Sequence, residues 1–282
     1  MRKFRYVVCD VFTDTALAGN QLAVFTDARD LDPLTMQALA KEMAFSETVF
    51  VLPPSSDEAD VRIRIFTPAS ELPFAGHPTL GSAFVLGGPL QKIVIRLETL
   101  SGVVPVELER EGPRIVFGWM DQPIPSWEPV ANAAEILAAV GAKATGLPVE
   151  RYDLGPGHVF FELGSPEEVA ALEPDLAALV RATHDGVNCF ARDGKRWKTR
   201  MFAPSDGVAE DPATGSAAGP LALHLARHGR IAFGEEIEIS QGAEVGRPST
   251  LYAQADGTTE RVERVRVGGS AVTVARGEFT LS

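Results

Sequence analysis

The sequence predicts an α+β fold that is built from two similar lobes. Short strand-like runs are interspersed with helices, and regular strand-helix-strand crossovers are rare. This mixture favours mixed or antiparallel sheets over a doubly wound nucleotide-binding fold. Two similar segments lie about 135 residues apart in a chain of 282 residues, which implies two repeated units.

The N-terminal quarter of the chain carries clear strand and helix signals. Runs rich in valine and aromatic residues, and runs that alternate apolar with charged side chains, are typical of strands. Asp32 is a good N-cap and Pro33 a good first helical residue, so a helix is expected over 33–43. The predicted strands are Tyr6–Phe12, Leu22–Phe25, Phe45–Leu52, which carries Glu47 near its start, and Val61–Phe66.

Three later helices are indicated by their ends. Ser165 is an N-cap followed by Pro166, and Glu168 completes the pattern of a capping box. Gly141 and Gly229 are C-terminal stops for predicted helices over Ala133–Val140 and Leu221–His228. The proline-rich stretch 122–130 is the best candidate for a linker.

Charge and composition exclude several classes of protein. With 26 basic and 38 acidic residues, the net charge of −12 disfavours binding to nucleic acid or to an anionic membrane. No apolar run approaches the roughly 18 residues of a membrane span. Asp10 and Asp14 interrupt any signal-peptide core, and Cys9 and Cys189 fit buried, reduced thiols. A cytoplasmic protein is therefore expected.

The repeat has two blocks in each copy. An Arg-x-Phe-x-Pro block is followed, after a short loop, by an acid or base and then Pro-x-x-Gly-Ser-Ala. Aligned in this way, the repeat sets His77 opposite Asp211. The blocks are Arg64–Pro68 with His77–Ala83, and Arg200–Pro204 with Asp211–Ala217.

The second block suggests a ligand site. Small residues at the start of a helix let a ligand approach the free N–H groups, and the helix dipole there favours an anion. Two such helix starts facing one cleft would hold a small carboxylate between His77 and Asp211. The alternative is that both are ordinary capped helices without a ligand.

At these residues the sequence resembles the phenazine-biosynthesis PhzF-like family, which shares the fold of diaminopimelate epimerase. The likeness rests on Phe74–Gly81 and Glu210–Ala217 and extends through Leu17–Asn20 and Ser46–Thr48. It implies two pseudo-symmetric lobes, each a curved mixed β-sheet wrapped around a central α-helix. The expected lobes are 1–118, with 273–282 returning to it, and 119–272. The central helices are expected to start near His77-Pro78 and Asp211-Pro212.

The resemblance also implies an activity and a set of site residues. The expected enzyme is a cofactor-free isomerase that converts trans-2,3-dihydro-3-hydroxyanthranilate to an aminoketone in phenazine biosynthesis, an antibiotic-producing pathway. Glu47 would shuttle the proton, with Phe45 and Phe50 desolvating it if they line the pocket. His77 and Asp211 would be its catalytic polar partners. The substrate carboxylate would be received by Gly76, Gly215 and Ser216.

Other interpretations stay open at this stage. Pro212 stands where the resembled phenazine enzyme is expected to have alanine, which keeps an isomerase or epimerase of another small amino or hydroxy acid in play. A non-catalytic small-molecule-binding protein is a third possibility. His224 and His228 have a zinc-compatible spacing, but no third ligand is evident and no metal is expected. By resemblance, the expected partners are an aromatic-precursor acid and a second copy of the chain.

Overall fold

The strands of the computed structural model, which describes residues 2–281, fall into two sets with the same order of neighbours. The first set contains β1 (Arg2–Val11), β2 (Asn20–Phe25), β3 (Glu47–Leu52), β4 (Val61–Phe66), β5 (Glu71–Leu72), β6 (Val94–Thr99), β7 (Gly102–Glu111), β8 (Arg114–Gln122) and β9 (Ser126–Pro129). The second contains β10 (Glu150–Asp153), β11 (Gly157–Glu162), β12 (Gly186–Asp193), β13 (Arg196–Ala203), β14 (Val208–Asp211), β15 (Ile237–Gln241), β16 (Ser249–Gly257), β17 (Val262–Gly269) and β18 (Ala271–Leu281).

The two sets are hydrogen-bonded in matching patterns. The order β1-β2-β3-β4-β6-β7-β8 in the first set corresponds to β10-β11-β12-β13-β15-β16-β17 in the second. Pairs β2/β3, β4/β6, β11/β12 and β13/β15 are parallel, and the remaining pairs in these orders are antiparallel. Each set is therefore a mixed sheet, as the α+β prediction requires.

The two sets are joined through their edges. Strand β8 pairs with β17, β9 pairs with β10 of the second set, and β18 returns to pair with β1. The predicted boundary between residues 118 and 119 falls inside β8. The predicted lobe limits Met1 and Ser282 lie outside the described residues, and the division at these boundaries stays a prediction. The linker candidate 122–130 contains β9 and so is largely a strand.

Each mixed sheet wraps a central helix. The helices of residues 2–281 are α1 (Pro33–Met43), α2 (Gly76–Leu90), α3 (Ala133–Ala139), α4 (Pro166–Ala170), α5 (Leu176–Ala182) and α6 (Gly215–Arg227), with a 3-10 turn at Pro204–Asp206. Most residues of α2 and α6 are buried, because both sequences are almost entirely apolar or small. None of these helices is long and apolar enough to cross a bilayer. The predicted fold of two sheets around central helices is confirmed.

The helix caps that the sequence indicates are formed. Asp32 Oδ1 accepts hydrogen bonds from the backbone N–H groups of Leu34 (3.0 Å) and Thr35 (3.1 Å), and Ser165 Oγ accepts from Glu168 N–H (3.3 Å). Glu168 returns its carboxylate to Gly164 N–H instead of Ser165, so the capping box is shifted by one residue. The predicted helix 221–228 is the second half of α6, which begins six residues earlier at Gly215.

Candidate active site

The strand pairing in the two lobes shows which residues correspond. In the first lobe Ile65 on β4 pairs with Leu72, and in the second Met201 on β13 pairs with Asp211. Two bidentate ion pairs fix the same alignment, since Arg64 bonds Glu71 and Arg200 bonds Glu210. The counterpart of Asp211 is therefore Leu72.

The predicted register of the repeat is wrong beyond its first block. The offset between the copies grows from 136 at Arg64 and Arg200 to 139 at Glu71 and Glu210, because the second loop is longer. A shared Glu-x-Pro-x-x-Gly, at 71–76 and 210–215, is the signal that gives the correct register. With it, His77 corresponds to Ser216. Helix α2 begins at Gly76, close to the prediction, but α6 begins at Gly215 and not near Asp211-Pro212.

The two central helices meet tip to tip. A Cβ atom added to Gly76 would lie 2.4 Å from the carbonyl carbon of Gly215, so only glycine permits this approach. Neither cap residue, Ala75 or Thr214, accepts a side-chain hydrogen bond from its helix. The N–H groups of the first turns therefore stay available for a ligand, and two helix dipoles favour an anion at one point.

A cavity of about 250 Å³ lies at these helix tips, in the seam between the lobes. It is lined by residues of both sheets and both helix starts. All six predicted site residues are among them: Glu47, Gly76, His77, Asp211, Gly215 and Ser216. The fold therefore brings together in space what the sequence places up to 169 positions apart.

Glu47 and His77 face each other in this cavity. Oε2 of Glu47, at the start of β3, lies 3.4 Å from Nε2 of His77, and neither atom has a hydrogen-bond partner among the described residues. Burial lowers the pKa of His77 to about 3, while a bond to the backbone of Gln21 acts in the opposite direction. Burial, together with the charges of Asp211 and Asp206, raises the pKa of Glu47 well above its usual value. The imidazole of His77 is therefore neutral near pH 7, and its surroundings favour the protonated form of the Glu47 carboxyl group.

Asp211 is held by a network of donors. Asn20 Nδ2 (2.8 Å) and Ser46 Oγ (3.2 Å) bond its Oδ1, and Thr214 Oγ (2.6 Å) bonds Oδ2. Burial raises the pKa of Asp211 to about 6, and these hydrogen bonds oppose the rise. Burial thus favours the protonated form of both carboxyl groups, and the donors around Asp211 favour its ionised form.

The expectation that Phe45 and Phe50 line the pocket is wrong. Side chains alternate along a strand, so Phe50 points away from Glu47 and packs in a cluster with Phe25 and Phe66 beside α1. Neither Phe45 nor Phe50 lines the cavity, whereas Phe74 does.

Several residues in or next to the cavity were missed by sequence reasoning. Asn20 bonds both Asp211 and His77, and Asp206 enters from the longer loop of the second lobe. Arg151 lines the rim but is already paired with Asp153 and Asp185, each at 2.9 Å. His158 lies 3.0 Å from Ser216 Oγ. Its position directly after the Gly155-Pro156-Gly157 turn is the signal that could have marked it as facing a cleft.

The cysteines and the paired histidines lie away from this cavity. Cys9 and Cys189 are buried, which raises the pKa of each thiol to about 12. His224 and His228 join Glu150 in a cluster whose potential ligand atoms lie within 4.8 Å. Arg227 Nη1, at 2.6 Å from Glu150 Oε2, already neutralises that carboxylate, so the cluster fits a charge network better than a cation site.

Comparison with known proteins gives consistent matches along the chain. The family model described as "Phenazine biosynthesis-like protein" matches residues 9–277. The chain is 52% identical over 277 residues to the trans-2,3-dihydro-3-hydroxyanthranilate isomerase of Pseudomonas aeruginosa, covering 98% of this chain and 99% of that protein.

Solved structures agree on the fold. The phenazine biosynthesis protein of the PhzF family from Bacillus anthracis superposes with a TM-score of 0.84 at 26% identity and full coverage of both chains. A hydroxyproline epimerase from Agrobacterium vitis gives a TM-score of 0.69 at 13% identity, covering 99% of this chain and 91% of that one. The second likeness shows that the two-lobed fold is shared with an epimerase.

Proposed function

The chain belongs to the phenazine biosynthesis-like protein family, and we propose that it is the isomerase that converts trans-2,3-dihydro-3-hydroxyanthranilate to an aminoketone. One observation carries the proposal: the buried carboxyl group of Glu47, whose pKa is raised by its surroundings, lies beside two abutting helix starts in a cavity large enough for one ring. The 52% identity to an isomerase of that name supports the substrate. This reaction places the protein in phenazine, and hence antibiotic, biosynthesis.

The substrate carries both an acid and an amine, and the cavity has a place for each. The carboxylate is received by the first-turn N–H groups of Gly76, Gly215 and Ser216, where both helix dipoles favour an anion. The amine lies toward the carboxyl groups of Asp206 and Asp211. These two groups have no cationic side chain bonded to them among the described residues, so an ammonium group compensates their charge.

Binding of the amine prepares Glu47 for proton transfer. Asp211 and Asp206 raise the pKa of Glu47 through their negative charge, so a cation bound between them lowers it again. Glu47 then releases its proton to solvent, and its carboxylate takes the C3 hydrogen of the ring as a proton, which leaves the electron pair of the C–H bond in the conjugated system. The same carboxyl group returns the proton at C1, and the resulting enol tautomerises to the aminoketone. The conjugated ring accepts the electrons during the transfer, so the scheme uses no cofactor.

His77 and Asp211 act as the polar partners of this transfer. With a pKa of about 3, His77 stays neutral and exchanges a hydrogen bond with Glu47 or with the substrate hydroxyl, without adding a positive charge. Asp211, fixed by Asn20, Ser46 and Thr214, holds the amine. A rigid acceptor of this kind orients the ring so that C3 and C1 both face Glu47.

The direct test is turnover of the purified protein with substrate that carries deuterium at C3. A single carboxyl group that keeps the proton transfers part of the deuterium to C1, which mass spectrometry or NMR of the product measures. Complete loss of the label to water contradicts the one-base shuttle. Binding of the substrate without turnover contradicts the isomerase itself and favours a small-molecule-binding protein.

Assembly and location complete the proposal. A homodimer is supported by the resemblance. A cytoplasmic location is supported by the two buried free thiols, which suit a reducing compartment. Size-exclusion chromatography with light scattering tests the assembly, and a mass of one chain at micromolar concentration contradicts the dimer.

A further inference from the structure

His158 is a buried histidine at the edge of the cavity that the reaction scheme leaves unused. It is the second residue of β11 and exposes 2% of its surface. Its Nε2 atom lies 3.0 Å from the hydroxyl oxygen of Ser216. Its Nδ1 lies 3.5 Å from the side-chain nitrogen of Asn188 on β12. The two side chains thus form a chain of polar groups that ends at the start of α6.

We propose that Asn188 and His158 form a positioning relay that fixes the Ser216 hydroxyl as a hydrogen-bond donor toward the substrate carboxylate. The relay rests on the proposed function, because it sets the direction of the hydrogen bond between Ser216 and the substrate carboxylate in the same cavity.

The direction of each hydrogen bond follows from the neighbours of Asn188. Its side-chain nitrogen also lies near the carbonyl oxygens of Gly186 (3.2 Å) and Val159 (3.4 Å), so the NH₂ group faces acceptors. The NH₂ group has two N–H donors and no acceptor, and it shares them among these two carbonyl oxygens and Nδ1 of His158, so Nδ1 is the acceptor in its contact. A neutral imidazole carries one proton, which then lies on Nε2.

The charge state of His158 supports this assignment. Burial lowers the pKa of His158 to about 4, and of the surrounding charges Asp185 and Asp153 oppose the shift while Arg151 adds to it. The imidazole is therefore neutral at pH 7, and Nε2–H donates to Ser216 Oγ. With its oxygen already accepting, the hydroxyl has its own hydrogen free to donate into the cavity.

Among the described residues, the first lobe has no such relay. Glu47 on β3 corresponds to Gly186 on β12, and these residues pair with Leu22 and His158. The residue of β2 that corresponds to His158 is therefore Leu22. The donor that binds the carboxylate thus belongs to the second lobe, and the acid that carries the proton belongs to the first. A hydroxyl forced to donate favours an acidic ligand over an uncharged one at this point.

The test measures binding of two probes by calorimetry: 3-hydroxyanthranilate, and 2-aminophenol, which is the same ring without the carboxylate. His158→Asn removes the donor at Nε2 and is expected to weaken binding of the acid about fivefold to tenfold while leaving 2-aminophenol unchanged. His158→Gln places an amide N–H near the Nε2 position and is expected to restore most of the affinity.

The double variant identifies the route of the effect. In a Ser216→Ala background the His158→Asn substitution is expected to cost nothing further, because the relay acts only through the hydroxyl. If His158→Asn weakens binding of both probes equally, the relay is overturned. It is also overturned if His158→Asn weakens binding of the acid as much in the Ser216→Ala background as in the unaltered protein. Thermal unfolding of each variant shows whether it is folded, and a folded Gln variant that binds no better than the Asn variant also overturns it.

Turnover measured alongside separates the two proposals. Isomerisation by the unaltered protein without the expected loss in His158→Asn overturns the relay alone. The predicted binding pattern without any isomerisation overturns the proposed function alone. An unaltered protein that binds the acid no better than 2-aminophenol contradicts carboxylate recognition and therefore the relay.

Discussion

The two lobes have the same backbone plan but divide the chemistry between them. At four corresponding positions in or beside the cavity, the side chains differ in kind, and at three of them a small or apolar residue in one lobe corresponds to a titratable one in the other. The four pairs, first lobe then second, are Leu22 and His158, Glu47 and Gly186, Leu72 and Asp211, and His77 and Ser216. A duplicated frame has thus become a site in which each lobe supplies a different function.

Packing explains why the polar residues alternate between the strands. A Cβ atom added to Gly186 would lie 3.0 Å from Nδ1 of His158 and 2.6 Å from Cε of Met201, so the glycine makes room for the imidazole. In the first lobe the apolar Leu22 lies beside Glu47 instead. In the first lobe the large polar side chain in the cavity, Glu47, comes from β3 and not from β2. In the second lobe it is His158, which comes from β11 and not from β12.

The shared features lie behind the cavity. Arg64 bonds Glu71 with both contacts at 2.6 Å, and Arg200 bonds Glu210 at 2.9 and 2.7 Å. Planar, bidentate pairs of this kind hold the strand before each central helix at a fixed angle. The common plan therefore serves the placement of the helix tips, and the differences serve the reaction.

The largest expected effect comes from removing the acid that only the first lobe carries. Glu47→Gln keeps the shape of the side chain but cannot shuttle a proton, so kcat for isomerisation is expected to fall by about 10²- to 10⁴-fold. Glu42→Gln, an exposed position on α1, is the control and should retain full activity. A Glu47→Gln protein with normal turnover removes the one-base mechanism.

The next effect tests the contact between the helix tips. Gly76→Ala places a Cβ atom 2.4 Å from the backbone of Gly215 and is expected to lower the free energy of unfolding by more than about 2 kcal/mol. Gly88→Ala, in the same helix with open space around it, should instead raise it by about 0.5 kcal/mol. Urea denaturation measures both, and equal stabilities for the two variants contradict the tip-to-tip contact.

A third effect concerns the buried charge of the second lobe. Because the pKa of Asp211 is raised to about 6 in the folded protein, folding favours its protonated form, and its contribution to stability is lost as the pH rises from about 4 through 6. Asp211→Asn is therefore expected to be more stable than the unaltered protein at pH 8, by on the order of 1 to 3 kcal/mol, with the difference shrinking toward pH 4.

Denaturation at several pH values checks this expectation, with Asp193→Asn, exposed on β12, as the control. The contrary result is that Asp211→Asn loses stability relative to the unaltered chain as the pH rises from 4 to 8. That result shows that the hydrogen bonds to the carboxylate outweigh its burial.

The smallest effect compares the two equivalent ion pairs. Arg200 also donates to the carbonyl oxygens of Val169, Ala170 and Leu172, whereas Arg64 has no such carbonyl contacts among the described residues. Arg200→Lys is therefore expected to cost about 1 kcal/mol more than Arg64→Lys. Thermal unfolding of the two variants decides this, and equal shifts in Tm show that the carbonyl contacts add nothing.

The sequence alone determined much of this protein. The caps at Asp32 and Ser165, the strand at Val61–Phe66 and the apolar character of the central helices follow from local propensity and hydrophobic pattern. The motifs at the helix starts pointed to Gly76, Gly215 and Ser216, which are among the residues that line the cavity, because small residues and glycines there allow close backbone approach. Glu47, which also lines the cavity, was predicted from the family resemblance.

The tertiary structure decided how the halves correspond and what state their groups hold. The register of the repeat shifts at a loop that is longer in the second lobe. Strand pairing shows that Asp211 matches Leu72 and that His77 matches Ser216, and it picks out the shared Glu-x-Pro-x-x-Gly as the correct alignment among the possible ones. The protonation of Glu47 and the tautomer of His158 likewise depend on burial and on neighbours distant in the chain. Local patterns cannot encode these properties, since electrostatics and desolvation act through space between residues that only folding brings together.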